Sequence, residues 1–203
     1  MHKILSNYLP EASINLVVDL LNKYPHHLKI VNKRQTKHGD FRLIKGSKYQ
    51  ITVNNNLNPY QFLLTLIHEI AHLVTHLNHK KVQPHGSEWK QNFQHLMLPF
   101  LSPTIYPKEL LPYLANYLKN PKASTDSDVQ LALALKKYSE PSDKSFIFEI
   151  PFDTNFLFKN RIFRRGNKRR TRYECLELKT KKIYLFNQNA EVELVIATKK
   201  YEY

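Results

Sequence analysis

Leu66-Ile67-His68-Glu69-Ile70-Ala71-His72 decides how this chain is read. It fits the pattern H-E-x-x-H, in which two histidines four residues apart flank a glutamate. On a helix each residue advances about 100°, so His68 and His72 lie about 40° apart and one turn apart. Both imidazoles can then reach one ion at about 2.0–2.1 Å. With His68 at 0°, Leu63, Leu66, Ile70, Val74 and Leu77 fall between about 160° and 240°. The spacing therefore predicts a helix with an apolar stripe for the core and an opposite face that offers ligands to a cleft.

Zinc at such a site needs a third protein ligand. His76 is two turns from His68, about 12 Å along the axis, so three ligands on one straight helix converge poorly. Thr75 and Asn78 stand where an extended H-E-x-x-H-x-x-G-x-x-H motif needs glycine and histidine, which excludes that class. Glu88 is a downstream carboxylate. His85, between Pro84 and Gly86, sits on a tight turn that can return to the first helix. It is the favoured candidate, with Glu88, His76 and His79 as alternatives.

Working outward, Asn58 reads as an N-cap and Pro59 as the first residue of a helix to about Asn78. Ser87 reads as the cap of a helix from Glu88 to Leu98. Upstream, Glu11 to Lys23 is an amphipathic helix between Pro10 and Pro25. Leu28–Val31, Phe41–Ile44 and Tyr49–Val53 read as short strands, with Gly39 and Gly46 marking turns. Five prolines between 99 and 121 mark a linker with short helical pieces, such as Glu109–Lys119, and Asp126–Tyr138 is a further helix. From residue 146 the pattern changes to strands: Phe146–Ile150, Phe156–Phe163, Arg170–Leu178, Lys182–Phe186 and Glu191–Ile196. The expected fold class is α+β. A helical domain with a small antiparallel sheet occupies 1–121, and a helix plus a small antiparallel β unit occupies 122–203.

The 203 residues suit one domain, or one with an appendage. A single cysteine, Cys175, excludes an intramolecular disulfide and any Cys-pair zinc site, and suits a reducing compartment. No apolar run approaches the ~18–20 residues of a membrane span. Residues 1–10 lack an apolar secretory core, so no membrane partner and a cytoplasmic, nucleoid-associated location are expected. The net charge of +14 is large for this size. Between Asp153 and Glu174 there is no acid, but there are eight bases: Lys159, Arg161, Arg164, Arg165, Lys168, Arg169, Arg170 and Arg172. Such a patch attracts polyanions, nucleic acid above all. With alternating strand faces, bases can point one way while Phe156, Phe158, Phe163 and Tyr173 enter a small core; any ring left exposed could stack on unpaired bases. All ten histidines lie within residues 1–95, so histidine chemistry belongs to the N-terminal half.

The chain resembles the SprT-like metalloproteases, which include bacterial SprT and eukaryotic Spartan. The resemblance rests on the run Thr65 to His72 and on Pro84-His85-Gly86-Ser87-Glu88-Trp89-Lys90. It is joined upstream by Arg34, Thr36-Lys37, Gly39-Asp40-Phe41-Arg42 and Tyr49 to Asn54. It covers residues ~8–100 and weakens beyond. It implies one zinc ion held by His68, His72 and His85, with Glu69 catalytic. It also implies cleavage of proteins bound or crosslinked to DNA; no helix-turn-helix or zinc-finger pattern appears, so the DNA is expected to be single-stranded or bound without sequence preference. Many relatives end in a zinc ribbon with two Cys pairs. Here Cys175 stands alone, so a ribbon-like unit without metal is expected. The competing reading is a non-proteolytic DNA- or RNA-binding protein whose zinc site is structural or vestigial. Tyr60, His76, His79 and Tyr106 are candidates to stabilise an oxyanion, and Trp89 is expected to anchor the ligand turn by packing.

Overall fold

The computed structural model describes residues 2–195, apart from 35, 36, 47 and 80, with the backbone alone at Asp126. Thr36 and Ile196, both named above, lie outside the described residues. The chain divides into two compact units, Met1–Ser139 and Glu140–Tyr203. The expected boundary at 121/122 differs from this one. The helix that follows it places Leu131 and Leu135 in the same core as the zinc-motif helix, so it belongs to the first unit.

In the N-terminal unit, a short helix α1 (His2–Leu5) and a single 3-10 turn precede α2 (Ile14–Asn22). Three strands follow: β1 (His27–Val31), β2 (Gly39–Ile44) and β3 (Lys48–Asn54). The order is β1-β3-β2, with β2 antiparallel and β1 parallel to β3. The sheet is therefore mixed rather than antiparallel, because β2 folds back onto one side of β3 and leaves the other side for β1. Leu28, Ile30, Phe41, Ile51 and Val53 turn to one face and join the core.

α3 (Pro59–Asn78) lies against that face and has the expected bounds. Asn58 caps it by accepting a bond from the Gln61 backbone N–H at 3.0 Å. Its amide also donates to Leu135 O and Ser139 Oγ, each at 2.9 Å, so the cap ties the helix start to a distant segment. The helix is not one-sided. From Phe62 to Ala71 every residue is buried, His68 and Glu69 included, whereas Leu77 at the end of the expected apolar stripe is 39% exposed. It is a central helix with neighbours on most sides, and the moment seen in sequence reports only part of its packing.

α4 (Ser87–Met97) packs on α3, followed by α5 (Leu111–Lys119) and α6 (Val129–Lys136). Gly86 holds the cap position of α4, and the Ser87 hydroxyl donates to Glu88, so Ser87 does not cap as expected. α6 is capped by Asp128, which accepts from Leu131 N at 3.1 Å.

The C-terminal unit is one antiparallel sheet of six strands: β4 (Lys144–Phe146), β5 (Asn155–Phe158), β6 (Arg161–Arg169), β7 (Arg172–Glu177), β8 (Ile183–Asn187) and β9 (Glu191–Leu194), in the order β4-β9-β5-β6-β7-β8. The expected single strand Phe156–Phe163 is a hairpin. Lys159 and Asn160 both take positive φ, 51° and 59°, which makes a two-residue turn matched to the twist of the flanking strands. Phe156, Phe163, Tyr173, Cys175 and Phe186 form the core with Ile147 and Val192.

Candidate metal centre

His68 and His72 project from the middle of α3, and His85 returns to them from the turn before α4. The three Nε2 atoms form a triangle with sides of 3.2 Å (His68–His72), 2.9 Å (His72–His85) and 3.2 Å (His68–His85). These contacts cannot all be hydrogen bonds. Each needs one donor and one acceptor, and three atoms in a ring cannot alternate between two roles, so one contact always sets like against like. A cation at the centre removes the conflict, because all three nitrogens then present lone pairs. Three ligands at 2.0–2.1 Å in tetrahedral geometry stand about 3.3 Å apart, a few tenths of an ångström from what is found. The residues therefore fit a divalent ion, and among the described residues this is the one group of three or more His, Cys, Asp or Glu able to hold one.

The local structure that brings His85 in is costly. Its φ is +59°, a left-handed conformation that costs a non-glycine residue about 1 kcal/mol or more. The turn is closed by the Gly86 N–H donating to Gln83 O at 2.9 Å. Trp89, one turn into α4 and 1% exposed, supports all three rings. Its centroid is 4.6 Å from those of His68 and His85 and 5.3 Å from that of His72, and it stacks on Phe93 at 5.0 Å. The expected anchor is thus in place.

Burial keeps the imidazoles neutral, as ligands must be. His68 is held well below its ordinary pKa by desolvation and then by His72 and His85. His72 is brought down to about 4 by desolvation and then by His85, and desolvation lowers His85 as well.

Glu69 points toward β2. Without an ion its carboxyl is raised to about 8, first by desolvation and then by the charge of Asp40, against Arg34, the Phe41 backbone N–H that donates to it, and Lys37. Sequence reading missed what makes room for it. Gly39 is not a turn residue but the first residue of β2. A Cβ there would stand 2.5 Å from Glu69 Oε1, 2.7 Å from its Cγ and 2.8 Å from Thr65 Cγ2. Arg34 was also missed as a structural residue. Its guanidinium donates to Asn54 Oδ1 at 2.8 Å and Thr52 Oγ1 at 2.9 Å, which pins the segment leading into β2.

The triad and Glu69 line one cleft of about 620 Å³, together with Gly39 and Phe41 of β2. Of the oxyanion candidates, His76 and His79 border it. Tyr106 is fully buried, its hydroxyl donating to Tyr60 O at 3.4 Å, and Tyr60 packs on Tyr106 and Tyr138. Glu88 instead accepts a bond from Ser87.

Of the eight basic residues between 159 and 172, Lys159 and Arg170 lie in turns and the other six divide between the two faces of the sheet. Arg161, Arg165 and Lys168 share the face of the rings instead of opposing it. Arg161 Cζ lies 4.7 Å from the Tyr184 centroid, and Arg165 Cζ lies 4.4 Å from that of Tyr173. Arg161 pairs with Glu177, Arg164 with Asp153, and Arg169 with Glu174. Lys159, Arg165, Lys168, Arg170 and Arg172 have no acidic partner among the described residues. Phe156, Phe163 and Tyr173 are buried, so they offer no ring for a base to stack on. No helix among the described residues is long and apolar enough to cross a membrane.

Three convergent imidazoles and a carboxylate in an open cleft define a protein able to hold one divalent metal ion beside an acid–base group. Residues 12–106, which contain all four side chains, match the model of the SprT-like family, a family associated with metalloprotease activity. Neither a curated protein nor a solved structure gives a significant match to the chain.

Proposed function

We propose that the chain is a zinc-dependent endopeptidase acting on proteins bound or crosslinked to DNA. The observation that carries this reading is the Nε2 triangle of His68, His72 and His85, with no sides longer than 3.2 Å, in the same cleft as Glu69. Bound there, zinc would supply a Lewis acid that polarises a carbonyl and acidifies water. Glu69 takes the proton of the attacking water and returns it to the departing amide nitrogen, so water adds across the peptide bond with no net change in protons. The Phe41 N–H fixes the carboxylate for that task. β2 is an edge strand, so an extended peptide can add along it and pass the reacting groups. A structural zinc site has no use for an open cleft or for a carboxylate outside the ligand set, which disfavours the non-proteolytic alternative.

Charge supports the DNA side of the proposal: a net +14, and five cations of the Lys159–Arg172 stretch without acidic partners among the described residues. With Phe156, Phe163 and Tyr173 buried and Phe158 half-buried, contact would run mainly through phosphates and be strongly salt-dependent. The test is cleavage of a basic DNA-binding protein by the zinc-loaded chain, with and without single-stranded DNA. Glu69→Gln is expected to keep zinc and lose cleavage; undiminished cleavage by that variant would refute the mechanism.

A further inference from the structure

The positive charge of the N-terminal half is not spread evenly. Between Asp19 and Glu69 there are eight Lys and Arg residues and a single acid, Asp40. That segment contains the three-stranded sheet, and the strand register sorts its side chains. Leu28, Ile30, Phe41, Ile51 and Val53 face α3 and the core. The alternate positions face away: His27 and Lys29 on β1, Lys48 on β3, and Asp40 and Arg42 on β2. Arg34 lies over the middle of this outer face through its bonds to Thr52 and Asn54. Lys37 stands at its edge, 2.8 Å from Asp40. His27, Lys29, Lys37, Arg42 and Lys48 are exposed. The lone acid is already engaged by both Lys37 and Arg42, each at 2.8 Å.

We propose that this outer sheet face is a second nucleic-acid surface, on the metal-binding unit itself, which takes the phosphate backbone without reading sequence. Its cations come from all three strands and spread over two inter-strand spacings, about 10 Å, so they meet a densely charged rod better than one acidic side chain. An amphipathic lipid contact would need apolar side chains among the cations, and the outward positions supply only Val31 and Ile44, both half-buried. The placement has a consequence for the cleft. β2 carries Arg42 on the outer face and carries Gly39 and Phe41 beside Glu69. DNA held on this sheet therefore lies one strand away from where a peptide would be cut.

The inference takes nucleic acid as partner from the proposed function but does not depend on cleavage, so the full-length, zinc-loaded Glu69→Gln protein is the parent for the test. Fluorescence anisotropy with a 20-base-pair duplex of arbitrary sequence compares it with a Lys29→Gln, Arg42→Gln, Lys48→Gln variant. A control carries Lys3→Gln, Lys108→Gln and Lys119→Gln, three exposed lysines of the same unit with the same loss of charge. Each phosphate contact contributes roughly 0.9 to the slope of log affinity against log salt. The sheet variant is expected to bind at least tenfold more weakly at about 0.1 M salt, with a slope shallower by roughly 2.7. The control is expected to stay within about threefold of the parent. Sheet-variant binding within twofold of the parent, or an equal loss in the control, would overturn the proposal. So would a loss confined to phosphatidylserine vesicles or polyglutamate, run as parallel probes. If the parent binds DNA and only neutralising the 159–172 stretch abolishes it, this inference fails while the partner reading stands. If the parent binds no DNA, both fail. Loss of cleavage in the wild type touches neither.

Discussion

Gly39→Ala adds a single methyl group at the point where β2 meets the glutamate of the motif. The new Cβ would stand 2.5 Å from Glu69 Oε1, 2.7 Å from Glu69 Cγ and 2.8 Å from Thr65 Cγ2. Ordinary contacts between such atoms begin near 3.5 Å, so something must give by up to about 1 Å. Gly39 is an extended strand residue, so alanine there brings no backbone penalty and the effect is purely steric. The two closest atoms belong to Glu69, so its side chain must move off the Phe41 N–H, and the Thr65 methyl or the strand must also shift by a few tenths of an ångström. Displacements of that size cost roughly 10²-fold in rate where a group must be positioned, and overpacking costs about 1–3 kcal/mol in stability. The assay measures kcat, KM, bound zinc and thermal unfolding for the wild type and for Gly39→Ala. The expected result is a kcat lowered by roughly two orders of magnitude with zinc retained. In a Glu69→Ala background, where the obstructing carboxylate is gone, the stability cost of the methyl group should shrink. A Gly39→Ala protein with kcat within a factor of three of wild type would show that Glu69 need not sit where the strand holds it, and the reasoning would fall.

Asn58→Ala removes the cap bond to Gln61 and the bond to the carbonyl of Leu135, which still accepts from the Tyr138 N–H at 3.1 Å. A cap is worth about 1 kcal/mol and a further buried hydrogen bond about 0.5–1.5, so urea unfolding of the variant should show a loss of about 1.5–2.5 kcal/mol. A loss under 1 kcal/mol would mean that water or relaxation replaces both bonds. In the C-terminal unit, Arg161 and Thr180 donate to Glu177 and hold its carboxyl down at about 2. Its pKa is lower folded than unfolded, so its contribution is full above about pH 4.5 and fades as pH falls toward 2. Glu177→Gln should therefore be less stable than wild type at neutral pH and converge with it near pH 2; curves that stay parallel throughout would contradict the assignment.

Much of the site was legible because its signals are local. Asn58-Pro59 marks where the long helix starts, the four-residue histidine spacing places two ligands on one turn, and Pro84-His85-Gly86 marks a bend able to bring in the third. What was hidden depends on partners distant in sequence. Nothing in Leu28–Val31 states that it runs parallel to β3, because direction is set by how β2 folds back. Gly39 reads as a turn glycine until the carboxylate from another element is seen against it. The break at Lys159-Asn160 lacks a glycine, and only Asn160, a residue tolerant of positive φ, hinted at it. The leucines of α6 announce a helix but not which unit they join; that was settled by packing, through Leu131 and Leu135. The aromatic residues among the arginines could be read as base-stacking surfaces because composition does not say which face of a strand is covered.

The central claim is that His68, His72 and His85 together hold one ion. Elemental analysis after zinc loading and dialysis of the wild type and of a His68→Ala, His72→Ala, His85→Ala variant tests it directly. The expected result is about one zinc per wild-type chain and none in the variant. A wild type that retains no zinc, or a variant that keeps it, would contradict the account.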